Sequence, residues 1–231
     1  ALLPREGGGA LAYHHLPGRR PGILFCPGFA SEMSGSKALA LEAWCRQRGR
    51  QFTRFDYQGV GQSPGDFSEG TVGSWAEDAS AALDQVTSGP QVIVGASMGG
   101  WIMLLLALRS PERVAGVVGV AASPDLVVRW RDELDEAQRE DLDTKGFYRR
   151  PSLYSEEPYT ITKKFLDDGR QHLLLRRPLQ VSCPVRLLHG MRDPDVPWQL
   201  SLQLADRVAH DDAEGHLLKG GRHRLSRTSD I

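Results

Sequence analysis

One serine in this chain is set out for nucleophilic chemistry. Gly95-Ala96-Ser97-Met98-Gly99 lies between the apolar run Gln91-Val92-Ile93-Val94 and the long apolar helical pattern that opens at Gly100-Trp101-Ile102-Met103. Strand, G-x-S-x-G, helix is the order of a nucleophile elbow, a turn sharp enough to expose one hydroxyl at the top of a sheet. Side chains at the two glycine positions would collide with neighbouring backbone, so both must be small. With 25 glycines in the chain the five-residue motif alone is weak, and the flanking strand and helix patterns give it weight.

A serine hydroxyl needs a base to take its proton, and the base needs an orienting group. On this scaffold they follow the serine in the order acid, then histidine. Asp193 is the preferred acid, because it follows the strand pattern Val185-Arg186-Leu187-Leu188-His189 and precedes Val196-Pro197-Trp198. Asp195, two residues on, competes with it, and Asp125 is a third candidate. His223 is the expected base, since Gly220 and Gly221 free its loop to reach over the elbow. His216 falls in the last strand pattern, His210 at a helix end, and His14 and His15 in a first strand. His189 is expected to pack or hydrogen-bond beside the acid loop. The oxyanion formed on attack needs two backbone donors, expected from Met98 and from Phe29 in the early loop Phe25-Cys26-Pro27-Gly28-Phe29-Ala30. Cys26 ends a strand pattern and reads as core. Asp56-Tyr57-Gln58-Gly59-Val60-Gly61-Gln62-Ser63 carries G-x-G after a strand, but it lacks the third glycine of a dinucleotide fingerprint and reads as a tight turn. This chemistry needs no cofactor and no metal.

The elements that must position these residues alternate. Strands are expected at 10–16, 22–26, 51–56, 91–95, 114–121, 185–189 and near 215–219, and helices at 36–48, 74–87, 98–109 and 198–208, with Ser74 and Glu77 as a capping box. The fold class is therefore α/β: a mostly parallel sheet with helices on both faces. Residues 1–231 read as one domain, with a cap-like insertion at about 124–184 where the rhythm breaks. Its charged amphipathic stretch at 125–144 is followed by a Pro- and Tyr-bearing segment.

The chain has 231 residues, 40% hydrophobic and 25% charged, enough for one domain with a substantial core. A net charge of −1 points to no nucleic-acid or membrane-surface partner. No apolar run is long enough for stable membrane insertion. Three widely spaced cysteines without C-x-x-C spacing favour a reducing compartment. No secretory signal is visible, and a start at Ala1 leads to the expectation of a processed or trimmed N-terminus. Nothing in these residues reports the oligomeric state.

Pro27-Gly28-Phe29, the stretch 54–61, Gly95 to Trp101 and the stretch 183–191 together resemble the abhydrolase-domain-containing protein 10 family, over nearly the whole chain. The resemblance implies an α/β-hydrolase fold with a small cap. It implies a serine esterase and thioesterase that removes S-palmitoyl groups from protein cysteines and cleaves acyl glucuronides, with acylated proteins or small-molecule esters as partners. It also implies a mitochondrial location, with a cytoplasmic one as the alternative. Carried over residue by residue, the triad lands on Ser97, Asp193 and His223. Members of that family continue past the histidine into a closing helix, whereas this sequence stops at Ile231. A loosely held base with lowered stability and activity is therefore expected. Other chemistries on the same scaffold are a cofactor-free haloperoxidase or lyase, and a non-catalytic ligand-binding homologue. Met33, Trp101 and Trp198 are candidate substrate-lining residues, and Arg176-Arg177 could face a glucuronate carboxylate or simply lie solvated at the surface.

Overall fold

The computed structural model describes residues 1–5 and 8–226. Its main sheet is built from β1 (Leu2–Pro4), β2 (Ala10–Leu16), β3 (Arg19–Cys26), β4 (Arg50–Phe55), β5 (Gln91–Ala96), β6 (Val114–Val120), β9 (Val185–Gly190) and β10 (Ala213–Leu218). A separate antiparallel pair joins β7 (Phe147–Arg150) to β8 (Tyr159–Thr162). The eight strands lie in the order β1-β2-β4-β3-β5-β6-β9-β10. Within this eight-stranded sheet, among the described residues, only the β1–β2 and β2–β4 pairings are antiparallel. Central parallel strands are covered on both faces and so read as continuous apolar runs, as Ile23-Leu24-Phe25-Cys26 and Val92-Ile93-Val94 do.

Alternation along β3 divides the core. Ile23 and Phe25 face one side, with Ala38 and Cys45 of α1 (Ser36–Gln47). Leu24 and Cys26 face the other, where α2 (Val72–Ala81) and the apolar α3 (Met98–Arg109) pack. Leu204 of α7 (Gln199–Arg207) joins that second core. The sheet therefore carries helices on both faces.

The expected strands and helices are all present, with ends shifted by a few residues, while β1, β7 and β8 were not anticipated. The capping box is not Ser74 with Glu77. The helix starts earlier, because Thr71 Oγ1 accepts from the Ser74 N–H (3.1 Å) and Ser74 Oγ accepts from the Thr71 N–H (2.9 Å). The expected helix at 74–87 leaves α geometry after Ala81 and closes as a π turn over Ala82–Val86. There the Leu83 carbonyl is taken by Thr87 Oγ1 (2.6 Å) and by Arg113 (2.8 Å).

Between β6 and β9 the chain forms α4 (Leu126–Asp132), α5 (Glu136–Thr144), the β7–β8 pair and α6 (Lys163–Gly169). The charged amphipathic stretch at 125–144 forms two helices. They part where the Asp135 carboxylate caps α5 by accepting from the Gln138 N–H at 2.7 Å. Leu126, Val127, Trp130, Phe165 and Leu166 from this segment are buried in the core that α2 and α3 share.

Candidate active site

The β5–α3 connection turns so tightly that Ser97 takes φ 53° and ψ −121°, in the left-handed half of the backbone map. Such a conformation costs about 1–3 kcal/mol and persists only where the surroundings over-determine it. Here the Ser97 N–H donates to the Val120 carbonyl (3.0 Å), and its own carbonyl accepts from Gly100 (2.9 Å) and Ser123 (2.9 Å). The glycines of the motif are steric requirements: a Cβ at Gly95 would run into the Gly99 carbonyl, and one at Gly99 into the Cys26 carbonyl. Gly99→Ala is expected to destabilise the fold by about 3 kcal/mol, the upper end for overpacking, because the obstacle is backbone. Chemical denaturation of the two proteins measures it, and an unchanged midpoint would contradict the fit.

At the same end of the sheet, beyond the C-terminal ends of the parallel strands β9 and β10, two loops meet. The acid loop after β9 and the histidine loop after β10 are joined by the Arg192 N–H donating to the Gly221 carbonyl (2.9 Å). They touch so closely at Gly190 that any side chain there would strike Gly221 backbone. Lys37 of α1 donates to the Arg224 carbonyl (2.6 Å), and Leu225 is buried. His223 is therefore held by neighbours on both sides, contrary to the expectation of a loosely held base. The expectation that the family's closing helix is missing concerns a stretch outside the described residues.

Across this junction His223 Nε2 is 3.1 Å from Ser97 Oγ, and its Nδ1 is 2.7 Å from Asp193 Oδ2. The Asp193 side chain is fully buried. Its Oδ1 accepts from the backbone N–H groups of Asp195 (2.8 Å) and Val196 (2.9 Å). Its Oδ2 is shared between His223 and His189, whose Nε2 lies 3.1 Å away. Burial by itself would raise this carboxyl, but hydrogen bonds from His189 and His223 outweigh it and hold Asp193 well below the usual carboxylate range. His189 Nε2 faces a second acceptor, the Val196 carbonyl (3.1 Å), and so carries a proton, leaving Nδ1 to accept from Ser201 Oγ (2.7 Å) when the ring is neutral.

Of the competing acids, Asp195 is engaged by the Tyr154 hydroxyl. Asp125 starts α4 with φ 56° and accepts from the Leu174 and Leu175 N–H groups at 2.8 and 2.9 Å, tying two parts of the inserted segment together. Asp193, Asp195 and His223 also offer ligand atoms within 4.8 Å of one another, a set already committed to hydrogen bonds with His189, Tyr154 and Ser97. His15 bonds Thr53 (2.8 Å), His14 faces Glu42 (3.5 Å), His210 caps its own turn at Asp212, and His216 is exposed. The Cys26 thiol is pushed up to about 12 by burial, and all three cysteines are free and buried. In the 56–63 turn the Asp56 carboxylate accepts from the Met33 (2.6 Å) and Gln62 (2.9 Å) N–H groups, and Gly59 and Gly61 have positive φ.

The Phe29 and Met98 N–H groups have no hydrogen-bond acceptor among the described residues. The Phe29 loop passes close to the elbow, since a Cβ on Gly28 would lie 3.4 Å from Ser97 Cβ. The Phe29 ring meets Phe67, Trp75, Trp130, Tyr159 and Phe165 edge-on, with centroids 5.1–5.8 Å apart. Each such pair contributes about 0.5–1.5 kcal/mol. Three of these five rings come from the inserted segment, so it docks on the loop that carries this donor.

Ser97, His223 and Phe29 open into a cavity of about 430 Å³. Leu126, Arg129, Trp130, Tyr154 and Tyr159 of the inserted segment line it. Met33, Trp101 and Trp198 are not among its lining residues. Met33 is buried with its N–H on the Asp56 carboxylate, Trp101 is fully buried with its indole N–H on the His172 carbonyl (3.0 Å), and Trp198 directly precedes α7 without a side-chain capping bond. Arg176 and Arg177 are exposed and do not line it either. Sequence reasoning missed Ser123, Arg129 and Tyr154. The Tyr154 ring stacks on His223 (6.1 Å, 28°) from a loop with no periodicity to announce it.

A family model described as the alpha/beta hydrolase fold matches residues 21–152. A rat protein named palmitoyl-protein thioesterase ABHD10, mitochondrial, is 45% identical over 232 residues, covering 100% of this chain and 78% of its own length. The solved mouse alpha/beta hydrolase domain-containing protein 10 superposes with a TM-score of 0.92 at 44% identity, covering 100% of this chain and 92% of that one. A structure from Agrobacterium vitis S4, described as that of a hydrolase, gives 0.94 at 35% identity, with the same 100% and 92% coverage. The location is mitochondrial, as printed in the names of the rat relative and of a human one. With the α/β-hydrolase sheet, elbow and inserted segment in place, the chain belongs to the alpha/beta hydrolase family, within its domain-containing protein 10 branch, and is a hydrolase of thioesters and esters.

Proposed function

We propose that the chain hydrolyses acyl thioesters, S-palmitoyl-cysteine on proteins among them, and acyl esters including acyl glucuronides, through a Ser97–His223–Asp193 triad and an acyl-enzyme. The observation that carries this reading is the continuous hydrogen-bonded chain from Ser97 Oγ through His223 to the buried Asp193 carboxylate. Asp193 accepts from Nδ1–H of His223 and so leaves Nε2 free to act as base. As Ser97 Oγ attacks the acyl carbon, its proton passes to Nε2. The carbonyl oxygen becomes an oxyanion held by the N–H groups of Phe29 and Met98, each worth about 3 kcal/mol of barrier. The C–S or C–O bond then breaks, and Nε2–H protonates the departing sulfur or oxygen. Water repeats the sequence on the acyl-serine, releasing the acid and restoring Ser97. The segment at 124–184 acts as the cap, and Leu126, Trp130 and Val196 offer the apolar wall that an acyl chain requires. The thioester specificity follows the printed name of the rat relative. Among the described residues no helix is long and apolar enough to cross a membrane.

Labelling with a fluorophosphonate tests the reading, because the probe reacts only with an activated serine. Covalent labelling at Ser97, with release of palmitate from an S-palmitoyl peptide, is expected. An unlabelled, folded protein would sink the triad.

A further inference from the structure

Arg129 and Ser123 form a polar corner of the reaction cavity that the steps above leave unused. Ser123 is buried next to the nucleophile, with its N–H on the Ser97 carbonyl (2.9 Å) and its Oγ accepting from Arg129 Nη2 (3.3 Å). The Arg129 side chain is 23% exposed, and its Nε is buried without a hydrogen-bond acceptor among the described residues. The nearest carboxylate, Glu133, pairs with Arg129 Nε only at 3.6 Å through Oε1, while its Oε2 accepts from Arg150 at 2.7 Å. Burial pulls the Arg129 guanidinium below its ordinary range, against the opposing pull of Glu133. A half-buried guanidinium whose buried Nε–H has no acceptor is costly unless something else completes it. The cavity wall holds Lys37, Arg129, Arg150 and Arg224 against Glu32 and Asp195, so its charge favours an anion.

We propose that Arg129, oriented by Ser123, binds an anionic oxygen group, carboxylate or phosphate, carried by the ester or thioester that Ser97 attacks. The inference rests on the hydrolase reading of Ser97. A guanidinium fork suits both groups, since each presents two oxygens to parallel N–H donors.

The test compares kcat/KM for 4-acetoxybenzoate, 4-acetoxyphenyl phosphate and the neutral methyl 4-acetoxybenzoate in wild type, Arg129→Leu and Arg129→Lys. The ratio of anionic to neutral ester is expected to fall about 10- to 100-fold in Arg129→Leu, mostly through KM, and to recover in part in Arg129→Lys. A fall confined to one anion identifies carboxylate or phosphate as the group recognised. A ratio unchanged within about twofold overturns the subsite and leaves the hydrolase reading standing, provided neutral-ester turnover still depends on Ser97. No Ser97-dependent turnover of any ester in wild type would overturn both. If Arg129→Leu is inactive throughout, inhibition of wild-type neutral-ester turnover by benzoate or inorganic phosphate decides. Competitive inhibition that weakens in Arg129→Lys supports the site, and none at tens of millimolar overturns it.

Discussion

Replacing Ser97 by alanine is expected to lower turnover by about 10⁴- to 10⁶-fold while the protein stays folded. Alanine removes the one oxygen that lies 3.1 Å from His223 Nε2 and leaves the rest of the relay in place. The strained φ of 53° is imposed by neighbours that alanine keeps, namely the Val120 carbonyl and the Gly100 and Ser123 N–H groups. Circular dichroism and the melting curve should therefore overlay those of wild type. Residual activity of about 10³–10⁴ over water would come from the oxyanion donors and from binding. Steady-state kinetics on a neutral ester, with fluorophosphonate titration to exclude wild-type contamination, gives the number. A loss of less than tenfold would remove Ser97 from the mechanism.

For Asp193→Asn a loss of about 10⁴-fold in kcat is expected, by way of the tautomer rather than the shape. The Asp193 Oδ1 position accepts two backbone N–H groups, from Asp195 and Val196, so the asparagine oxygen is held there. Its NH₂ must then face His223 Nδ1, which can meet it only as an acceptor. The neutral ring's proton moves to Nε2, the atom that should receive the proton of Ser97. His189 also loses an acceptor but keeps the Val196 carbonyl at 3.1 Å, so the acid loop is expected to hold. The same carboxylate couples stability to pH. Its value is lowered in the folded state, so the stabilisation is complete above the ordinary aspartate pKa of about 3.9 and is lost as pH falls toward the lower folded value. Acid unfolding should lose this component in Asp193→Asn. Rates near neutrality and an acid titration of stability, read side by side, check both halves, and wild-type kcat in the variant would refute the tautomer account.

How much of this could be read from residues alone varies with how local the cause is. The elbow is local. Gly95 and Gly99 are required by backbone within the turn and by the strand beside it, and the apolar flanks of Ser97 are contiguous in sequence, so motif and fold class were legible together. Asp193 and His223 were legible because each follows a short apolar strand at a predictable edge of the sheet, even though 126 residues separate His223 from Ser97. The first turn of α2 was misread because Thr71 and Glu77 offer equally plausible partners for Ser74, and only the backbone path into the helix decides between them.

The cavity wall was not legible, and the errors there share one cause. Trp101 and Met33 are large and apolar, as a substrate pocket would use, yet they fill the core beneath the site. The residues that do reach the cavity from the inserted segment, Arg129 and Tyr154, sit in a short helix and an irregular loop. Their sequence neighbourhood carries no period that points at Ser97. The sequence by itself singled out the residues proposed to attack, accept a proton and orient the base, because those demands are written into short motifs at strand ends. Only the tertiary structure decided what surrounds them. The docking of the inserted segment on the Phe29 ring, and the close contact of the acid and histidine loops at Gly190 and Gly221, arise from packing between elements far apart along the chain. Such packing is fixed by the shape and volume of the assembled core, which no local stretch of sequence encodes.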